Sequence, residues 1–374
     1  MGGRASVRAA LAAAGNAASL SAEVWIAAIG KAAAAMALGA HDALGARVRN
    51  TLVITRAGHA TSERLTRGEV ELIESAHPVP DERSLAAGAR LLEWLGELPP
   101  AVTPLFLISG GASSLVEMLA DGASLAQLLQ LNVQGLAAGI PIGELNARRA
   151  RLSRIKGGGL AARLGKRAAL ALFISDVPGN DPRVIGSGLM GPAPGGDQVQ
   201  RTIIASADDA VTAVALEARR RGFMVHAAEA RFDGPATRLA SRFAHELRLL
   251  PAEVFVWGGE STVQLPSAPG RGGRNQHLAL GVAKLIAGEP DLLLLAAGTD
   301  GTDGVTEDAG ALVDADSCAR LALAGLDADT CLAQADSGTA LAASGDLVHT
   351  GPTGTNVGDL VIGLKMTAAR SRAR

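Results

Sequence analysis

Short apolar runs that break abruptly into glycine recur along the chain, and longer segments with helical spacing separate them. Val24 to Ile29 predicts a strand, after which Gly30-Lys31 opens a helical run reaching Leu44. Thr51 to Thr55 and Val70 to Ser75 predict two more strands. The second of these ends in the stiff turn His77-Pro78-Val79-Pro80, with Asp81 placed to cap a helix over 84–98. Leu105 to Ile108 and Ala168 to Ile174 are continuous apolar runs of the kind buried inside a parallel sheet. Further on, the pattern predicts a strand from Thr202, a helix over 208–222, a strand over 223–228 and a helix over 236–247. Then come a strand over Val254 to Trp257, a loop over 258–262, a short strand over Val263 to Leu265 and a helix headed by Arg274-Asn275-Gln276-His277. The run LLLLAA after Asp291 predicts a buried strand that breaks into Gly298-Thr299-Asp300-Gly301-Thr302-Asp303-Gly304, and the pattern closes with a strand over 360–366. This alternation of strand and helix predicts an α/β protein.

With 374 residues the chain is long for one core, so the expectation is a larger domain over 1–249 and a smaller one over 250–374. Hydrophobic residues make up 48% and charged residues 19%, which fits a globular enzyme and argues against disorder. Tyr is absent, Trp numbers 3, and 35 basic residues face 37 acidic ones. A nucleic-acid binder is therefore not expected, since stacking platforms and a basic footprint are both missing. No apolar segment approaches the roughly 18 residues of a membrane span, and the alanine run after Arg8 is broken at Gly15-Asn16, so it reads as an ordinary first helix. Cys318 and Cys331 have no metal-ligand spacing and read as small buried hydrophobes of a reduced, cytoplasmic protein, monomeric or homodimeric.

Candidate chemistry gathers where strands end. Lys31 stands at a helix start, where unpaired N–H groups and the macrodipole favour a phosphate, although neither GxxxxGK[ST] nor GxGxxG is present there. Ser109, Gly110, Gly111 and Ser113 offer a backbone nest and hydroxyls for an anion. Lys156-Gly157-Gly158-Gly159 repeats the pairing of a cation with glycines after a basic segment containing Arg148, Arg149, Arg151 and Arg154. Asp176 and Asp181 flank a Pro-Gly turn and are candidates to share a metal ion, while Asp300 and Asp303 sit in the second glycine-rich loop.

The ordered motifs GKAAAAMA, HPVPDE, SGGASS, N-x-x-R with SRIKGG, SDVPGND, GGESTV, GRGGRNQ, GTDGTDG and PTGTNVGDL, spanning about Gly30 to Leu364, resemble the bacterial glycerate 2-kinases that end in a MOFRL domain. The resemblance implies a Rossmann-like α/β/α domain followed by a smaller α/β domain, and transfer of the γ-phosphate of ATP to the 2-hydroxyl of D-glycerate with Mg²⁺. It implies Lys31, Asp176 and Arg274 as catalytic groups, and adds Asn146, Arg149, Glu260 and Asn356 to the substrate-binding set. All the candidate metal ligands are oxygens, which suits Mg²⁺. The inventory is split between the two predicted domains, and neither half alone holds a complete kinase set. Departures from the family pattern fall at Ala150, Gly159, Asn180, Leu189 and His277. Some related sequences are called hydroxypyruvate reductase; a nicotinamide-dependent reductase is one alternative, and a binding protein that has lost turnover is the other.

Overall fold

The computed structural model describes residues 2–13, 15–60, 65, 67–137 and 142–366. Two compact units emerge, one of residues 1–206 with 354–356 and one of residues 207–353 with 357–374.

The first unit runs α1 (Gly3–Ala12), β1 (Val24–Ile29), α2 (Ala33–Leu44), β2 (Val48–Arg56), β3 (Glu69–Ser75), α3 (Glu82–Glu97), β4 (Leu105–Ile108), α4 (Ala112–Leu115), α5 (Leu125–Ala137), α6 (Ile142–Arg151), α7 (Gly159–Ala162), β5 (Ala169–Ile174) and β6 (Val199–Ala205). Its six strands are all parallel, in the order β3-β2-β1-β4-β5-β6. This is the doubly wound order implied by the family resemblance. β4 and β5 are buried along their whole length, and this is why LFLI and ALALFI carry no alternation. β3 lies at the edge and alternates instead. Asp81 caps α3 as expected: its carboxylate accepts the Arg83 amide at 2.8 Å, and the Ser84 hydroxyl accepts the Asp81 amide at 3.2 Å. Trp94, buried on α3, donates its indole N–H to Asn50 at 2.6 Å. Strand order reverses direction between β1 and β4, so the loops after those two strands flank the switch point of the sheet.

The second unit runs α8 (Ala207–Arg220), β7 (Val225–Ala227), β8 (Phe232–Pro235), α9 (Ala236–Leu249), β9 (Val254–Thr262), α10 (Arg274–Leu285), β10 (Leu292–Gly298), β11 (Gly310–Asp314), α11 (Ser317–Leu323), α12 (Ala328–Ala333), α13 (Ser337–Ser344), β12 (Leu347–Val348) and β13 (Asp359–Lys365). The sheet order is β12-β11-β10-β13-β9-β7, with β8 also on β9. β10 is flanked by antiparallel partners and alternates buried with half-buried positions. LLLLAA is therefore a strand, as its pattern predicts, but one in a mixed sheet, where no row of parallel strand ends forms a crevice.

Two features of this unit differ from the sequence pattern. The division expected at 249/250 falls inside the unit, because Phe243 and Leu247 of α9 share one core with Phe255 and Trp257 of β9, and β7 and β8 pair with β9. Gly258 to Thr262 is not a loop but the continuation of β9, and no strand follows at 263–265. The glycines are there because neighbouring chain comes close: a Cβ on Gly259 would lie 2.0 Å from the Phe232 carbonyl oxygen of β8. Gly259→Ala is therefore expected to cost about 1–3 kcal/mol through overpacking. A denaturant midpoint equal to that of the unsubstituted protein would contradict this packing.

Candidate active site

At the switch point of the first unit, two loops are locked together. Gly30 has φ +132, and a Cβ there would lie 2.2 Å from the Ser109 hydroxyl oxygen and 2.6 Å from its carbonyl oxygen. The Lys31 amide donates to the Gly110 carbonyl at 2.9 Å, the Ala32 amide to the Ser109 hydroxyl at 3.1 Å, and the Thr55 hydroxyl to the Gly30 carbonyl at 3.0 Å. Lys31 is thus fixed two residues before α2, as its sequence position predicts. The Ser109 hydroxyl oxygen serves this junction by accepting the Ala32 amide.

Beside the β4 loop lies a cavity of about 190 Å³ whose lining includes His77, Gly111, Ser113, Asn132, Arg149 and Lys156. A chain of hydrogen bonds runs along it. The Ser113 and Ser187 hydroxyls are 2.6 Å apart, and Ser187 donates to Asn146 at 3.1 Å. Arg149 donates to Asn146 at 3.2 Å and to Asn132 at 2.7 Å. Both acceptors of Arg149 are neutral amides, and among the described residues it forms no ion pair; burial alone pushes its pKa down. An unneutralised guanidinium on a cavity wall is suited to an anion.

Lys156 is different. Its ammonium is buried and meets the buried Glu117 carboxylate at 2.5 Å, and the Ser153 hydroxyl donates to the same carboxylate at 2.5 Å. Burial pushes the Lys156 pKa down, while Glu117 works against that shift. The expected phosphate-binding cation is therefore already matched. Gly157 is likewise committed, since its amide donates to the Ser187 carbonyl at 3.0 Å. Gly158 has no room for a side chain, because a Cβ would lie 2.2 Å from the Pro192 carbonyl oxygen. The triple glycine packs closely against neighbouring chain, where the sequence offered only a glycine-rich loop beside a cation.

Asp176, after β5, reaches the β4 loop: a Cβ on Gly110 would lie 1.9 Å from one of its carboxylate oxygens and 2.0 Å from the Asn356 amide nitrogen. Asn356 donates to that carboxylate at 3.2 Å. The Asp181 carboxylate accepts the Arg183 amide at 2.9 Å, closing its own turn. Among the described residues no group of three or more His, Cys, Asp or Glu side chains forms a protein-only metal cage.

In the second unit Arg274, at the start of α10, forks onto Asp359 at 2.6 and 3.0 Å and also meets Glu260 at 2.5 Å. Burial opposes its charge, but the two carboxylates outweigh burial and hold its pKa above the ordinary value. The cation expected from sequence is thus the centre of an acidic cluster. Asp303, also buried, accepts the Asn275 and Gln276 amides at 3.1 and 2.8 Å; burial raises its pKa to about 7 against those donors. Asp300 accepts the Thr302 amide at 2.9 Å within its own turn. Glu117, Asn132 and Asp359 were not singled out from sequence. Glu117 alone leaves a clear signal, as a single carboxylate between Leu115-Val116 and Met118-Leu119.

The same chain matches two families, one described as a domain of unknown function (DUF4147) over residues 3–217 and the MOFRL family over residues 253–359. It belongs to this DUF4147 and MOFRL family of two-unit α/β proteins. A D-glycerate 2-kinase from Thermotoga maritima is 35% identical over 91% of this chain and 90% of its own length. The crystal structure of the glycerate kinase from that organism superposes with a TM-score of 0.82 at 33% identity, covering 97% of each chain. A protein from Agrobacterium vitis called a putative hydroxypyruvate reductase is 35% identical over 88% of this chain and 96% of its own length.

The raised pKa of Asp303 has a measurable consequence. In the folded chain Asp303 keeps its proton up to about pH 7, whereas the unfolded chain loses it near the ordinary 3.8, so folding takes up a proton between those values. Its contribution to stability therefore falls as pH rises from about 4 to about 7 and is level above that. Asp303→Asn is expected to flatten that slope in denaturation midpoints measured across the window. Equal slopes in both proteins would show that Asp303 titrates normally.

Proposed function

We propose that the protein is an ATP-dependent D-glycerate 2-kinase. The observation that carries this reading is Arg149, a partly buried cation without a carboxylate partner among the described residues, on the wall of a small cavity beside the β4 loop. A cavity of about 190 Å³ suits a small hydroxy acid, and Arg149 offers the planar fork that binds a carboxylate. In the reaction the 2-hydroxyl oxygen of glycerate bonds to the γ-phosphorus, the bond from that phosphorus to the bridging oxygen of ADP breaks, and the hydroxyl loses its proton. Phosphoryl transfer asks mainly for positioning and for positive charge near the transferred oxygens. Lys31, held at the switch point through its own backbone, supplies that charge, and the Ser113–Ser187–Asn146 chain fixes the wall against which the acid rests.

Mg²⁺ needs only one or two carboxylates when phosphate oxygens and waters complete its shell. Asp176 fits that demand because it sits against the Gly110 backbone, where a Cβ would overlap it, and Asn356 orients it. Asp181, whose carboxylate also accepts the Arg183 amide, is the second candidate ligand. When bound, the ion would neutralise phosphate charge. With ATP and a charged metabolite as substrates, the cytoplasm is the compartment we assign. Among the described residues no helix is long and apolar enough to cross a membrane.

A nicotinamide-dependent reductase is disfavoured by the turn after β1. Gly30-Lys31-Ala32-Ala33 lacks the three glycines of a dinucleotide loop, and its single glycine is pressed onto Ser109. The expected result is D-glycerate-dependent ADP release that requires Mg²⁺, with no oxidation of NADH by hydroxypyruvate. Lys31→Ala should lower kcat by roughly 10²–10³ while the melting temperature stays the same. Near-normal kcat in that variant would remove Lys31 from the chemistry, and NADH oxidation without ADP release would overturn the kinase reading.

A further inference from the structure

The hydrogen bonds along the wall of the Arg149 cavity run in one direction, and the guanidinium fixes which. Arg149 donates and never accepts, so the Asn146 atom that faces it at 3.2 Å is the amide oxygen. That oxygen only accepts, and the Ser187 hydroxyl 3.1 Å away therefore donates its proton to it. Ser187 has no second proton for its other neighbour. Across the 2.6 Å between the two hydroxyls, Ser113 is then the donor. The chain keeps a hydroxyl at position 187 although φ +56 there would suit glycine better. Ser187 is buried, whereas Ser113 lines the cavity. With its one proton committed to Ser187, the Ser113 oxygen offers only lone pairs to an occupant, and the group opposite it has to be a hydrogen-bond donor.

In a cavity where Arg149 takes the carboxylate, the donor that Ser113 requires is a hydroxyl, and D-glycerate has two. The chain of hydrogen bonds decides between them. It ends at a neutral amide oxygen that already holds two donors and takes up no proton. A hydroxyl resting on Ser113 therefore keeps its proton, whereas the attacking 2-hydroxyl has to lose its own. We infer that Ser113 is the acceptor for the 3-hydroxyl of glycerate. This contact determines specificity in two ways: it separates glycerate from acids that lack that hydroxyl, and it leaves the 2-hydroxyl to the phosphoryl group. A polar group built to meet a substrate hydroxyl is left unpaired by the analogue without one, which is why such sites discriminate. Ser114 also lines the cavity, but its hydroxyl donates to the Gly111 carbonyl at 3.1 Å within its own turn. The inference rests on the reading of the Arg149 cavity as the acid site of a glycerate kinase.

D-Lactate, which is D-glycerate with the 3-hydroxyl replaced by hydrogen, is the probe. Both acids are titrated calorimetrically into the full-length protein and into Ser113→Ala and Ser114→Ala, without ATP. The unsubstituted protein should bind D-glycerate more tightly than D-lactate by roughly 3- to 10-fold, the worth of one neutral hydrogen bond. Ser113→Ala should lose that factor for D-glycerate and hold D-lactate as before, so that the two affinities converge. A serine with a merely structural role would weaken both acids together, and that result overturns the assignment. Equal affinity for the two acids in the unsubstituted protein overturns it without any variant, as does absence of D-glycerate binding. Convergence in Ser114→Ala but not in Ser113→Ala also overturns it. ADP release with MgATP is measured in parallel. Glycerate-dependent release alongside equal affinities leaves the kinase reading standing without this contact. The expected selectivity without ADP release leaves the contact standing and removes the kinase reading.

Discussion

The contact between Gly30 and Ser109 is the constraint on which the proposed chemistry depends. The two loops at the centre of the parallel sheet approach so closely that a single added carbon would lie 2.2 Å from a hydroxyl oxygen. Backbone hydrogen bonds from Lys31 and Ala32 then fix the approach in register. Such an arrangement follows from the strand order, because the direction of winding reverses between β1 and β4 and leaves both loops at the same end of neighbouring strands. Lys31 gains its position from this junction, Asp176 and Asn356 meet against the next glycine of the same loop, and the small cavity opens beside it.

Cationic residues in this protein fall into two physical groups that sequence does not separate. Lys156 and Arg274 are held by carboxylates, and removing one partner from a buried pair of the Lys156–Glu117 kind costs about 3–5 kcal/mol because the other charge is left without compensation. Each of these two cations is matched by acidic partners within its own unit. Arg149 has only neutral amide acceptors among its hydrogen bonds, so its positive field is left for a ligand. What separates the two groups is the set of partners around each cation and not its neighbours in the chain.

Much of the first unit was legible because its central strands β1, β4 and β5 are short, largely buried apolar runs that break into glycine or polar loops. The pattern placed β1 and β4 at the bounds the structure shows, and Asp81 at the cap of α3. Motifs after β1, β4 and β5 fall in loops at parallel strand ends, where glycine and polar residues gather. Partners distant in sequence were not legible: Glu117 lies 39 positions from Lys156, and Asp359 lies 85 from Arg274. Glycines also misled in both directions. Gly258-Gly259 resembled a loop but continues a strand under a close neighbour, and Gly157-Gly158, read as a glycine-rich loop beside a cation, packs against the 187–192 segment. The division between units escaped detection because α9 carries an ordinary amphipathic stripe, and only the fold reveals that its partner is β9.

The central claim is that the chemistry is phosphoryl transfer to the 2-hydroxyl of glycerate, and phosphorus NMR of the product reads it directly. After incubation with D-glycerate and MgATP, the account predicts stoichiometric ADP and a phosphomonoester whose phosphorus couples to the single C2 proton of 2-phosphoglycerate. A signal coupled to the two C3 protons would contradict the proposed regiochemistry. The absence of any glycerate-dependent phosphomonoester from folded protein would contradict the account as a whole.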